Sequence, residues 1–241
     1  MKLGLGLGIG AGGGGASPST LAQLQSLLAG TNSFIYDPTD ISSLFQDSAG
    51  TTPVTSDSDP VGRVADLSGN GFNALQPTTA NKPAYRSATQ DIEYDGVDDF
   101  METAATSSAN MSLILSVNTS DTQGILFSNG GTRFVGFFRD VSGSATFGGS
   151  GTPTTYVDDV LVATQDAFHD ALTGSVNRRV DIRNADMSLW TEIEICRIST
   201  ASFNVAGRLK RIVGIDNASL TAPQQAEALA LAQAFIDEGN A

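Results

Sequence analysis

Apolar and polar positions along the chain alternate mostly with a period of two, and turn residues break that alternation at short intervals. Phe34-Ile35-Tyr36 reads as a first strand, and Ile92-Glu93-Tyr94 as a short one. Ser112 to Val117 is apolar on both faces, as in a sandwich core. Gly124–Ser128 and Arg133–Arg139 bracket the turn Asn129-Gly130-Gly131 and predict a hairpin. Tyr156–Ala163 reads as a strand turned by Asp158-Asp159, and Gly143–Thr154 as a loop. Arg179–Arg183 and Leu189–Ile198 alternate strictly, with Ile193, Ile195 and Ile198 on the core side. Arg208–Ile215 is the last strand. Many short strands at this spacing predict an all-β sandwich or jelly roll.

Two stretches follow the helical period instead. Leu21, Leu24, Leu27 and Leu28 share one face of a short helix, with Ser17 as cap, Pro18 in the first turn and Gly30 as the stop. So short a helix is marginal alone and must pack on the main domain or on a copy of itself. Near the other end, Thr221 to Gln224 has capping-box spacing, Leu229, Ala232, Phe235 and Ile236 form an apolar stripe, and Gly239 is the expected stop. The organisation expected is an arm and short helix over 1–32, a β domain over 33–218, and a packed helix over 219–241.

Met1–Gly15 obeys neither rule fully. Leu3, Leu5, Leu7 and Ile9 alternate with glycine, so an extended chain carries every apolar side chain on one face and bare backbone on the other. Glycine at every second position makes a poor signal-peptide helix. Such a row cannot bury itself, and we read it as an arm that docks on a neighbouring protein by strand addition.

The 241 residues suffice for one large β domain with appendages. A net charge of −13 with scattered Lys and Arg disfavours nucleic acid and anionic membranes as partners. Cys196 is the single cysteine, so an intrachain disulfide is excluded, and it reads as a small packing residue. No apolar run approaches the ~20 residues that span a bilayer.

The stretch Asp66–Phe100 organises the rest. Ser68-Gly69-Asn70-Gly71 suits a turn, and Asp95-Gly96 is a second turn signal among acidic residues. The pattern D-x-SGNG-x-x-A followed by Y-DGVDD-F resembles the opening of a concanavalin A-like (laminin-G/pentraxin-like) jelly roll of bacteriophage virion proteins. The preceding run LFQD-x-AGTTPVT-x-x-x-DPVG is similar to the front of lectin-like domains in the same group. The likeness covers Phe34–Phe100 by motif and the later strands by pattern only. It implies a non-enzymatic structural protein on the particle exterior, in a tail or capsid appendage. The arm would be held by other virion proteins, the jelly roll would meet host-surface polysaccharide, and the appendage would be a homo-oligomer. The alternative from another class is a secreted carbohydrate-active enzyme or its binding module.

Candidate chemistry is sparse. Lectin-like jelly rolls hold sugars with Asn or Asp side chains and an aromatic face, which nominates Asn70, Tyr85, Asn129, Tyr156 and Trp190. Asp95, Asp98 and Asp99 offer hard oxygens round a glycine turn, and relatives in the resembled group bind calcium at loop carboxylates. The spacing is not an EF-hand loop, so the reading here is a solvated turn whose Asp95 caps local amides, with calcium as the alternative and no other cofactor. Glu93-Tyr-Asp95-Gly-Val-Asp98 is similar to the E-x-D-x-x-E strand of jelly-roll glucanases, but its last carboxylate is one methylene short and Gly96 breaks the strand early. Glu192 and Glu194 also share a face, with Trp190 the one bulky aromatic beside them. His169, the single histidine, reads as an exposed loop residue, and no nucleophile elbow accompanies it.

Overall fold

The computed structural model describes residues 18–104, 108–131, 133–139, 147–174, 176–197 and 204–241. In chain order the strands are β1 (Phe34–Tyr36), β2 (Leu44–Phe45), β3 (Arg63–Val64), β4 (Ala74–Leu75), β5 (Ala84–Arg86), β6 (Asp91–Asp95), β7 (Met101–Ala104) and β8 (Met111–Thr119). They continue with β9 (Gln123–Ser128), β10 (Phe134–Arg139), β11 (Phe147–Gly148), β12 (Thr154–Val157), β13 (Val160–Val162), β14 (Arg178–Ala185), β15 (Glu192–Ile195) and β16 (Ala206–Asp216). The helices are α1 (Thr20–Leu28), α2 (Gln165–Leu172) and α3 (Ala222–Asn240). None of the described helices is long and apolar enough to cross a membrane.

The strands form two antiparallel sheets, so the protein is a β sandwich. Sheet I runs β13-β12-β14-β8-β16-β6-β5, with β1 also paired to β16; sheet II runs β11-β10-β9-β15-β7-β4-β3-β2. Between them lies one apolar cluster, in which Leu113, Leu115 and Val117 of β8 face Phe127, Ile193 and Ile195 of sheet II. Every second residue of β6, β8 and β15 points there, as pleating requires.

Part of the outer face of sheet I is apolar. Ile35, Ile114, Val213 and Ile215 meet Leu24 and Leu28 of α1 and Phe235 and Ile236 of α3 in a second cluster. The short α1 therefore gains its stability from packing on its own domain. β16 serves both faces through a bulge. Leu209 pairs with Val117 and Ile212 with Leu115, so three steps on β16 match two on β8. The extra residue lets Leu209 and Ile212 both enter the inter-sheet core while Val213 and Ile215 meet the helices.

The structure corrects several expectations. Ser19 caps α1, its Oγ accepting from Ala22 N–H at 3.2 Å, while Ser17 lies outside the described residues. The segment with His169 is helical, because Thr164 caps α2 and Phe168 and Leu172, four apart, fill the core. His169 is accordingly buried, its Nδ1 3.1 Å from Asp170 Oδ1. The strand expected over Leu189–Ile198 is confined to Glu192–Ile195, since Cys196 turns the backbone to φ +66°; Ile198 lies outside the described residues. Within the expected loop Gly143–Thr154, Phe147 and Gly148 form β11. Gly239 does not stop α3, which continues to Asn240. A Cβ there would lie 2.7 Å from the Arg211 side chain, so the glycine makes room for that guanidinium under the helix.

The tight hairpin at Asp158-Asp159 is present, with φ of +47° and +69°, as is the hairpin of β9 and β10. So is the capping box of Thr221 and Gln224.

Candidate groove on the outer face of sheet I

Beyond the edge of α1 and α3, the outer face of sheet I is polar. Ile92 and Tyr94 turn inward, which directs Asp91, Glu93 and Asp95 outward. Pairing then aligns residues across four strands: Ala84 opposite Glu93, Glu93 opposite Arg208, and Arg208 opposite Asn118. With Arg86, Asp95, Asp99 and Ser120, this row lines a groove of about 660 Å³. Gly207, inward like its partner Tyr94, lets β16 lie close to β8 beside the groove, because a Cβ there would come within 2.7 Å of the Asn118 carbonyl.

The charges in the groove are held in place. Arg86 is ion-paired through Nη2 and Nε to Glu93 and donates from Nη1 to Ser58 Oγ at 2.6 Å. Arg208 has looser partners: Asp91 lies 3.9 Å from its Nε, and Thr89 Oγ1 lies 3.5 Å from Nη1. Burial pushes the Asp91 carboxyl above its usual range, against the pull of Thr89, Arg208 and Lys210. At the mouth, burial pushes Asp99 up to about 6; the Asp95 amide opposes that shift, and Asp95, Asp98 and Glu93 add to it.

Asp95, Asp98 and Asp99 do converge, with oxygens within 4.8 Å of one another. Two of them are already used by the turn. Asp95 Oδ1 accepts from the amides of Val97, Asp98 and Asp99 at 2.8, 3.2 and 3.4 Å, and Asp99 Oδ2 accepts from Asp95 N–H at 3.0 Å. The amide-capping role expected of Asp95 is therefore present. These oxygens are of the hard type calcium takes, but a first shell of six to eight is not assembled here.

The five nominated sugar contacts are not brought together. Tyr85 and Trp190 are each 3% exposed and belong to the inter-sheet core, so neither offers an aromatic platform. Asn129 ties the β9–β10 turn, its Oδ1 accepting from Gly131 and Arg133 N–H at 3.1 Å. Tyr156 is half-buried on the outer face toward the far edge of sheet I, under the Arg183 guanidinium at 4.2 Å. Asn70 is a clasp. Its Oδ1 accepts from Gly30 N–H at 2.9 Å, and its Nδ2 donates to the carbonyls of Leu28 and Ser33 at 3.1 and 2.9 Å. Replacing Asn70 with alanine should cost about 2 kcal/mol, read by urea denaturation, because it releases the end of α1.

Glu93 and Asp95 share a face of β6, but Asp98 sits in the turn beyond the strand, so the three carboxylates do not form one row. Glu192 and Glu194 lie on sheet II, where Glu194 is buried against Ser128 Oγ at 2.9 Å and pairs in register with Glu102. Burial, with Glu192 and Glu194 nearby, raises the Glu102 carboxyl. Sequence reasoning did not single out Arg86, Asn118 or Arg208. The available signal was a polar side chain at an outward position of a strand whose other positions are apolar.

No family model matches the chain, and no curated protein matches it. Among solved structures, Trypanosoma rangeli sialidase in complex with the inhibitor DANA is similar at 12% identity and a TM-score of 0.41. The likeness covers 90% of this chain and 38% of that one, and at that level it carries no argument about function.

Proposed function

We propose that the protein is a structural component of a bacteriophage particle surface, with a concanavalin A-like jelly roll that meets host-surface polysaccharide through the groove on sheet I. The observation that carries the binding half is the uncovered row Glu93, Arg208 and Asn118, in which an acceptor, a donor and an amide stand side by side across adjacent strands. Such sets bind vicinal hydroxyls, and the ion pair with Arg86 fixes Glu93 as an acceptor before any ligand arrives. The attachment half rests on the leucine-glycine row of the N-terminal arm and on the motif resemblance of Phe34–Phe100.

The test is binding of purified host capsular or cell-wall polysaccharide by calorimetry. Arg208→Ala should weaken binding about tenfold or more, since a hydrogen bond from a charged group contributes about 1.5–3 kcal/mol, and Asn118→Ala about threefold or more, since a neutral one contributes about 0.5–1.5 kcal/mol. Both side chains line an open groove, so the melting temperature should stay within about 2 °C of wild type. Equal binding by both variants would remove the groove from the proposal. Cleavage of the polysaccharide by the intact protein, lost in Glu93→Gln, would establish the enzyme alternative instead.

A further inference from the structure

Charge is distributed unevenly along the groove on sheet I, and that distribution bears on which glycan it takes. At one end each cation faces a carboxylate. Arg86 pairs with Glu93 and lies 3.7 Å from Asp57, while Arg208 and Lys210 both act on the buried Asp91. At the other end Asp95 and Asp99 stand in the lining, with Asp98 in the same turn. A hollow of about 310 Å³ adjoins the groove at Asp95 and Ala206 and adds Asp121. Ala206 pairs in register with Asp95 and donates its amide to Asp121, so the two carboxylates flank one residue. Among the described residues no ion pair reaches Asp95, Asp98, Asp99 or Asp121. For Asp99 the neighbouring carboxylates add to the rise that burial causes, so the field at this end is negative.

The balance of donors and acceptors points the same way. An ionised carboxylate only accepts hydrogen bonds. A ligand here meets Glu93, Asp95 and Asp99 as acceptors and must itself bring donors. Sugar hydroxyls do so. The carboxylate or sulfate of an acidic glycan brings acceptors alone, beside like charge. Arg208 is the group best placed to receive such an anion, but Asp91 lies 3.9 Å from its Nε and Glu93 stands opposite it in register, which offsets its charge.

We propose that the groove selects uncharged, hydroxyl-rich polysaccharide and excludes acidic glycans, with Asp95 and Asp121 setting that selectivity. This deepens the polysaccharide reading argued above and rests on it.

The test has two arms, both on full-length protein. In the first, Ser120→Cys is labelled with an uncharged dye at that exposed groove position; native Cys196 is buried and stays unlabelled. Quenching by caesium and by iodide is compared at an ionic strength of about 0.1 M, where charges act over roughly 10 Å. Relative to the dye on free cysteine, the caesium-to-iodide quenching ratio should rise about threefold or more, and fall by about half when Asp95→Asn and Asp121→Asn are combined. Asparagine keeps an oxygen for the amides these residues serve, so the combined variant should melt close to wild type. The second arm follows, by calorimetry, the purified host polysaccharide before and after its primary hydroxyls are oxidised to carboxylates. Oxidation should weaken binding about tenfold or more at about 20 mM salt, and the combined variant or about 0.5 M salt should recover most of that loss. A merely lost hydroxyl contact responds to neither, so a loss that neither recovers would overturn the proposal. An acidic polysaccharide bound as tightly as its neutral form, or a quenching ratio equal to that of the free dye, would overturn the selectivity and leave the binding function standing. No binding of either form, with the quenching contrast present, would remove the function and this selectivity together.

Discussion

Replacing Arg179 with methionine is expected to destabilise the protein by about 3–5 kcal/mol, a fall in melting temperature on the order of 10 °C. The guanidinium is 8% exposed and touches three carboxylates: Asp181 at 3.3 Å, Asp237 of α3 at 2.6 Å, and Asp159 of the β12–β13 turn. Asp181 is 1% exposed on the outer face of β14. It also accepts from Arg183 Nη2 at 2.7 Å and Gln233 Nε2 at 2.6 Å. The neighbouring carboxylates make the Arg179 proton harder to remove, although burial acts the other way. Taking away the cation leaves Asp181 buried with less compensation, and burying an uncompensated carboxylate is what dominates the loss. The paired substitution Arg179→Met with Asp181→Leu removes both charges and should recover more than half of the loss. Equilibrium urea denaturation of the three proteins measures this directly. A single Arg179→Met variant within about 1 kcal/mol of wild type would show that α3 is held by its apolar stripe alone.

That network could not be read from the sequence, and the reason is physical. Strict alternation over Arg179–Arg183 predicts a strand with one apolar face and one charged face. It could not show that Gln233 and Asp237 of α3, more than fifty residues later, would close over those charges. The strands themselves were legible because one face of each is apolar. The hairpins were legible because Asp158-Asp159 and Asn129-Gly130-Gly131 carry turn chemistry that acts locally. The strand of Leu189–Ile198 was overextended, because alternation continues through Cys196 although the backbone does not. The short α2 was missed, since two turns with two core contacts leave too little period to detect.

The motif residues that carried the resemblance prove to be structural in this chain. Asp66 accepts from Ile35 and Ser68 N–H at 2.9 Å and from Phe72 N–H at 3.0 Å, and Asn70 closes on the end of α1. Asp47 and Asp59 tie the amides of Thr52, Thr55 and Ser56 in the same way. These carboxylates and amides hold long connections whose backbone groups have no sheet partner. Polar residues that stand out in a loop can thus be clasps, whereas the groove residues Arg208 and Asn118 sit at the ends of largely apolar strands. Binding chemistry on a sheet face depends on cross-strand register, and only folding sets that register.

Asp99→Asn should act in the opposite direction and stabilise the protein at neutral pH. Asp99 is 8% exposed, and its carboxyl is pushed from 3.8 up to about 6, first by burial and further by Asp95, Asp98 and Glu93. The folded state then holds this proton more tightly than the unfolded chain does. Stability from this residue is full below about pH 4 and is lost as the pH rises through about 6. A shift of that size corresponds to at most about 3 kcal/mol above pH 7, and solvent at the mouth of the groove screens part of it. Asparagine cannot ionise and keeps an oxygen for the Asp95 amide, which Asp99 Oδ2 accepts at 3.0 Å. The variant should therefore melt several degrees higher than wild type at pH 7.5 and at about the same temperature at pH 4. Calcium supplies the discriminating arm. A cation held by Asp95, Asp98 and Asp99 would offset the repulsion, so millimolar calcium would raise the wild-type melting temperature at pH 7.5 and leave Asp99→Asn unmoved. A turn whose carboxylates serve its own amides gives no such rise. If Asp99→Asn melts below wild type at pH 7.5, the charge on Asp99 contributes to the fold, and the burial cost argued here is not the dominant effect.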